Sequence, residues 1–289
     1  MPIRPVDRVI AANQQLEGEG FPIRRPFPTP ALMDFDPFLM LDEVGPVDYP
    51  PGRALGAPDH PHRGFETVSY VLSGEKLHED STGKTQLLRP GDVQWMTAGA
   101  GIVHSELPSP AFKAAGGRAH SFQIWVNLPK ARKYAEPGYQ HLPGDATPVA
   151  EQDGGRISVR VIAGAAFGVE AAIGTATPVW LQDWRLAPGA EAELPVPEDF
   201  NAAAYVFEGE ARFGPDRASA GVGDFVVFGA GDRIVMRGGA GGGRFLLLAG
   251  APLAEPVARY GPFVMNTEAE LHAAFDDYRS GRMGVIARS

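Results

Sequence analysis

A chain of 289 residues exceeds the usual size of one domain, so one large or two medium-sized domains are expected. A formal net charge of -9, with no run of Lys or Arg, excludes the basic patch that direct nucleic-acid binding needs and does not favour an anionic membrane surface. The chain has no cysteine, which excludes disulfides and thiolate chemistry, so any metal must be bound by imidazole and oxygen atoms.

Nothing in the sequence predicts export or a membrane anchor. The start, MPIRPVDRVI, lacks a long apolar core, and Arg24-Arg25 is not followed by one. The longest apolar stretch, around 245–254, is too short to span a bilayer. We therefore expect a cytoplasmic protein with no membrane partner.

Glycine (36) and proline (27) divide the chain into short segments, which favours strands and turns over long helices. Short runs rich in branched and aromatic residues predict strands, and several of them alternate as in a sheet with one buried face. These runs are 68–72, 93–96, 157–162, 179–186, 203–207, 225–228 and 245–248. The Pro- and Gly-rich stretch 129–155 predicts a domain boundary.

One helix is predicted near the end of the chain. Thr267 and Glu270 have the spacing of a capping box, and apolar residues then recur at helical intervals. We interpret this segment as a packing helix that closes the C-terminal part of the fold.

Two tripeptides carry the candidate metal ligands, His60-Pro61-His62 and His104-Ser105-Glu106. In an extended chain, residues i and i+2 project from the same face, so each tripeptide presents two ligand groups to one side. Pro61 has no N–H to donate, which predicts that it lies at the start of a strand or at a sheet edge. Brought together in a barrel interior, the pairs supply three imidazole nitrogens and one carboxylate oxygen.

This ligand set suits Fe, Mn, Co, Ni, Cu or Zn, and ligand softness alone does not choose among them. Four ligands on a six-coordinate metal leave two positions for a substrate or for dioxygen. A closed structural zinc site would more often use cysteine, which is absent.

The sequence also contains an internal repeat. The matched segments are 70–75 with 205–210, 91–92 with 223–224, 98–99 with 230–231, and 102–103 with 234–235. This alignment puts Pro195, Pro197, Met236 and Gly238 at the positions of His60, His62, His104 and Glu106. Only the first copy keeps the ligands, so we expect one metal site per chain.

The runs 60–68, 78–81, 90–99 and 101–106, with 36–38, 124–129 and 261–267, resemble pirin, a bicupin of the cupin superfamily. The resemblance implies an all-β fold of two tandem cupin (jelly-roll) β-barrels with a short C-terminal helix. It divides the chain into an N-terminal metal-binding barrel, 1–142, and a C-terminal barrel with the tail helix, 143–289, that lacks the ligands. The family's four iron-binding positions correspond to His60, His62, His104 and Glu106, and Glu66 is left as a neighbour that supports a ligand.

The resemblance implies two functions. One is a quercetin 2,3-dioxygenase activity that uses a flavonol-like substrate, O2 and one divalent transition-metal ion, with Fe(II) as the first expectation among the metals above. In this activity Glu106 is either the catalytic base or only a ligand. The alternative is a non-enzymatic, iron-containing regulator that binds transcription factors or metabolic enzymes.

Several other residues have open interpretations. Trp95 and Met96 are expected to pack inside the barrel, with an apolar substrate pocket as the alternative. Arg63 is expected to form a surface ion pair or to orient a carboxylate, and His78 to lie at a pocket mouth or in an ordinary loop. His120, His141 and His272 are left unassigned.

Overall fold

The computed structural model describes residues 2–288 and consists mostly of β-structure, with 56% strand and 9% helix. The first twelve strands are β1 (Val6–Ala11), β2 (Asn13–Glu17), β3 (Phe21–Phe27), β4 (Phe38–Tyr49), β5 (Ala57–His62), β6 (Phe65–Ser73), β7 (Lys76–Asp80), β8 (Thr85–Leu88), β9 (Val93–Thr97), β10 (Ile102–Pro108), β11 (Gly117–Asn127) and β12 (Gly138–Leu142). These proportions confirm the predicted all-β class.

The remaining strands are β13 (Val149–Gln152), β14 (Ile157–Ala163), β15 (Ala165–Ala166), β16 (Val169–Glu170), β17 (Val179–Leu186), β18 (Glu191–Pro195), β19 (Asn201–Phe213), β20 (Ala218–Gly221), β21 (Asp224–Phe228), β22 (Arg233–Gly250), β23 (Ala258–Tyr260) and β24 (Phe263–Met265). The helices are α1 (Pro110–Ala115) and α2 (Glu268–Arg279), with 3-10 turns at Lys130–Arg132, Gly144–Ala146 and Asp153–Gly155. Each of the seven predicted strands falls inside one of these elements. No helix among residues 2–288 has the length and apolar character needed to cross a bilayer.

The described residues form two compact units. Unit A comprises 14–25, 38–145 and 253–288, and unit B comprises 2–13, 26–37 and 146–252. The predicted division at 142/143 assumed a single cut in the chain, and it assigns the segments at both ends differently from these units. The difference arises because β1 pairs with β21 of unit B, whereas α2 packs in unit A.

Unit A contains the two sheets of the first barrel. The larger sheet has the order β12-β9-β6-β11-β4-β3-β2, and the smaller has the order β5-β10-β7-β8. In the smaller sheet β5 is an edge strand, so the missing N–H of Pro61 leaves no gap in a central ladder. The predicted edge position of Pro61 is therefore confirmed.

Unit B is built on one nine-stranded sheet, with the main order β1-β21-β19-β22-β17-β14-β13. Strand β18 pairs with β22, and β20 pairs with β19. Its core is aromatic and aliphatic and includes the fully buried Trp184, Phe213 and Phe245. The sequence alternation of β14 places Ile157, Val159 and Val161 on the buried face of the same core.

Helix α2 begins at a capping box in which Thr267 and Glu270 bond each other's backbone N–H groups, as predicted. Its buried face, Leu271 and Ala274, packs against Phe263 and against Val103 of β10. Val103 precedes the candidate ligand His104, so the tail helix supports the outer face of a ligand-bearing strand. The assignment of this helix to the C-terminal barrel does not agree with that packing.

Candidate metal centre

The candidate ligands lie on two neighbouring antiparallel strands, β5 and β10, and β7 pairs with the other edge of β10. In the register of the small sheet, His104 of β10 lies opposite His60 of β5 on one side and opposite Asp80 of β7 on the other. His62 lies opposite Ile102. Because side chains alternate between faces, the two histidines of β5 point to the same side as His104.

The structure brings the imidazoles of His60, His62 and His104 together. One ring nitrogen from each lies within 4.8 Å of the other two. The ring centroids are 4.3 Å apart for His60 and His104, 4.7 Å for His60 and His62, and 5.0 Å for His62 and His104. Three of the four predicted ligands therefore converge on one point.

The hydrogen bonds of these rings suit a metal ligand. Nδ1 of His60 lies 2.7 Å from the carbonyl oxygen of Pro58, and Nδ1 of His62 lies 3.2 Å from that of Pro262. A carbonyl only accepts, so each Nδ1 carries the proton and each Nε2 keeps its lone pair. Nε2 of His104 is buried and has no hydrogen-bond partner within residues 2–288. A metal bound by three Nε2 atoms would satisfy this orphaned atom.

Two of the imidazoles are held in the neutral form that binds a metal. Burial, and then the neighbouring His60, keep the pKa of His62 well below its ordinary value. Burial, and then His60, His62 and His78, do the same to the pKa of His104. Both rings are thus unprotonated near neutral pH without needing a metal to displace a proton.

Glu106 is buried close to this cluster but outside the group of three. Its carboxylate accepts a short hydrogen bond from Ser69, whose Oγ lies 2.7 Å from the side-chain oxygen of Gln123. Burial alone would raise the pKa of Glu106, but Lys76, the Ser69 hydrogen bond and His78 together lower it. The carboxylate is therefore ionised, and its role as a fourth ligand remains a prediction.

A cavity of about 500 Å³ in unit A is lined by His62 and Glu106. Its wall is mostly apolar and includes Phe21, Met40, Val71, Phe112 and Trp125. The Trp125 ring lies 5.2 Å from that of His62 and carries the Arg259 guanidinium 5.5 Å above it. A cavity of this size with a few polar groups at one place is typical of a small-molecule site.

The aromatic wall was not predicted from the sequence. Trp95 and Met96 are fully buried in the packed interior and do not line the cavity, which confirms the packing interpretation. Trp125 lines the cavity in place of Trp95 and Met96. Gln123 and Trp125 are two residues apart on β11, so both face the cavity. That alternation was the available signal.

Three other predicted positions have clear surroundings. Glu66 accepts a hydrogen bond from Thr97 at 2.7 Å, not from a candidate ligand. Arg63 forms an ion pair with Asp277 at 2.7 Å, as expected, but it is buried instead of lying on the surface. His78 is neither at a pocket mouth nor in a loop, since it is fully buried in β7 against His104.

The unassigned histidines are not members of the group of three imidazoles, but His120 lines the same cavity as His62. His120 contacts Glu43 at 2.8 Å, and His141 contacts Asp92 at 3.3 Å. His272 is exposed on α2.

The equivalent strands of unit B lack ligands. Met236 lies opposite Ala192, and Ile234 opposite Leu194, as His104 and Ile102 lie opposite His60 and His62 in unit A. The predicted equivalents Pro195 and Pro197 are therefore wrong, because the segment joining β18 to β19 is longer than that joining β5 to β6. The side chains that replace the ligands are part of the apolar core.

Gly64, two residues after His62, adopts φ +88 and lies against the tail strand β24. A Cβ at this position would overlap the carbonyl oxygen of Val264 and lie 2.7 Å from Sδ of Met265. We expect Gly64→Ala to lower the free energy of unfolding by about 1–2 kcal/mol for the left-handed backbone and by a further ~1–3 kcal/mol for overpacking. Chemical denaturation measures both.

Gly52→Ala is the matched control for that variant. Gly52 has a similar φ of +77, but a Cβ there meets no atom of residues 2–288 within 4 Å. Only the backbone part of the loss should remain. Equal losses in the two variants would show that the contact between Gly64 and the tail contributes nothing.

These features define a bicupin: two β-barrel units, of which one presents a buried cluster of imidazoles to a cavity. A family model described as Pirin matches residues 20–126, and one described as Pirin C-terminal cupin domain matches residues 181–284. The chain belongs to the pirin family.

Its relatives cover almost the whole chain. A pirin-like protein of Solanum lycopersicum is 44% identical over 97% of this chain and 93% of its own, and Pirin of Homo sapiens is 41% identical over 95% and 92%. The crystal structure of a quercetin 2,3-dioxygenase from Acinetobacter baumannii is 34% identical, with a TM-score of 0.91 over 99% of this chain and 100% of that one.

Proposed function

We propose that this chain is a metal-dependent dioxygenase of the quercetin 2,3-dioxygenase type, located in the cytoplasm. The observation that carries the proposal is the buried Nε2 of His104, which has no hydrogen-bond partner in the described part of the chain and lies with two further imidazoles beside a mostly apolar cavity. Similarity to the Acinetobacter baumannii protein named quercetin 2,3-dioxygenase supports it. His60, His62 and His104 would hold the metal, for which we propose iron(II), with Glu106 as the fourth ligand.

The reaction joins a flavonol to O2, opens the central ring and releases carbon monoxide. A bound divalent transition metal would supply Lewis acidity toward the 3-hydroxyl and the neighbouring carbonyl of the flavonol. The planar rings would pack against Trp125, and the apolar wall would exclude water from the reacting atoms.

Glu106 is the residue that we assign to proton transfer. Its ionised carboxylate can accept the proton of the 3-hydroxyl, and Ser69 orients it through their hydrogen bond. Lys76 stabilises the negative charge from the cavity wall.

The direct test is aerobic incubation of the iron-loaded protein with quercetin. We expect the long-wavelength absorbance of the flavonol to disappear and carbon monoxide to be released in equal amount. Anaerobic samples and metal-free protein are the controls, and both should be inactive. Full iron occupancy without turnover of several flavonols would contradict the proposal and favour the iron-containing regulator.

Glu106→Gln separates proton transfer from metal binding. We expect kcat to fall by about 10²–10⁴-fold, because the amide keeps the shape of the side chain but accepts no proton. Metal content, measured by elemental analysis, should remain. Glu268→Gln, an exposed position on α2, is the matched control. If the metal were lost in parallel with activity, Glu106 would be a ligand only, and its assignment as the proton acceptor would be wrong.

A further inference from the structure

The imidazole of His104 contacts a second buried imidazole, that of His78. His78, on the neighbouring strand β7, is fully buried, and its Nδ1 lies 3.4 Å from Nδ1 of His104. On its other side, Nε2 of His78 lies 3.0 Å from Oδ2 of Asp80, which is also buried. The three residues form a hydrogen-bonded row that ends at the metal-facing Nε2 of His104.

The direction of the hydrogen bonds in this row is determined at Asp80. Its Oδ1 accepts from the backbone N–H of Thr82 at 2.8 Å and from the hydroxyl of Thr82, so the carboxylate is held in one orientation. Oδ2 can only accept, and Nε2 of His78 must therefore carry the proton. Nδ1 of His78 is then an acceptor, Nδ1 of His104 the donor, and Nε2 of His104 keeps its lone pair.

We infer that Asp80 and His78 are positioning residues that select the metal-binding tautomer of His104. The inference rests on the metal centre of the proposed function but not on its reaction. His60 and His62 obtain the same tautomer from backbone carbonyls, which no substitution removes. For His104 two side chains select the tautomer, so substituting either side chain can remove the selection.

Asp80→Asn should reverse the direction of the hydrogen bonds in this row without moving its side chains. Thr82 continues to require an oxygen at the Oδ1 position, so the amide nitrogen replaces Oδ2 and donates to Nε2 of His78. His78 must then donate from Nδ1, and His104 must place its proton on Nε2, where it blocks a metal. His78→Leu instead removes the acceptor and leaves the tautomer of His104 unselected.

The test measures binding of cobalt(II) to the full chain by competition with a chelator, together with the visible spectrum of the bound ion. We expect Asp80→Asn and His78→Leu to weaken binding by about 10–100-fold, the range found when partners of ligands are lost. Thermal unfolding of the metal-free proteins reports separately on folding. Asp92→Asn, which alters another Asp–His contact in unit A, should bind cobalt as the wild type does.

The double variant decides whether Asp80 acts through His78. In the His78→Leu background, Asp80→Asn should weaken cobalt binding no further, because the imidazole through which Asp80 acts on His104 is absent. Additive losses, or wild-type affinity in Asp80→Asn, would overturn the inference. Wild-type protein that binds cobalt but cleaves no flavonol would overturn the proposed activity alone, so the two failures are distinguishable.

Discussion

Replacing His104 with alanine is expected to remove metal binding and turnover together. The variant loses a buried Nε2 that has no hydrogen-bond partner among residues 2–288, and it leaves two imidazoles and Glu106 of the four proposed ligands. The loss of metal affinity should exceed the 10–100-fold typical of residues that only support a ligand. Elemental analysis after dialysis and competition with a chelator measure the affinity, and quercetin turnover measures the activity.

His272→Ala is the matched control, because it makes the same substitution at an exposed position on α2. Its metal content and turnover should equal those of the wild type. If His104→Ala retained the metal content of the control, His104 would have to be removed from the ligand set.

Replacing Trp184 with alanine should destabilise unit B more than any other single substitution that we consider. The ring is fully buried, lies parallel to Phe245 at a centroid distance of 6.1 Å, and meets Phe167 edge-on at 5.6 Å. Its Nε1 donates to the side-chain oxygen of Gln182 at 2.8 Å, which would lose that donor. We expect the free energy of unfolding, measured in urea, to fall by about 3–5 kcal/mol.

Trp180→Ala tests whether burial causes that loss. Trp180 lies on the same strand, β17, but is only half-buried, and its ring contact is with Phe200 at 6.1 Å. A smaller cavity forms there, so the loss should be clearly smaller. Equal losses would show that the full burial of Trp184 is not the cause of the larger effect.

Seven of the 24 strands among residues 2–288 and the imidazole cluster could be predicted, because both depend on local patterns. Alternation along a strand places His60 and His62 on one face, and the same rule applies to His104 and Glu106. The capping box at Thr267 is likewise encoded within four residues.

What could not be predicted depends on pairing between distant segments. The carbonyl of Pro262 that orients His62 is 200 residues away in sequence. The contact of His78 with His104 follows from the register of β7 on β10, which no single strand specifies. Strands β12 and β13 were missed for a different reason, because their segments lack the branched and aromatic runs that identify strands.

The contact between the tail and the loop after His62 has a consequence for biosynthesis. Lys133 holds this loop by donating to the carbonyl oxygens of Gly64 at 2.8 Å and Val264 at 3.1 Å, so the loop needs residues from both halves of the chain. A nascent polypeptide still attached to the ribosome at residue 142 contains every candidate ligand but lacks Pro262 and Val264. The contacts of His62 with Pro262 and of Lys133 with Val264 can therefore form only after translation has passed these residues, and an excised N-terminal half would keep the strand pairing of its imidazoles but lack both contacts.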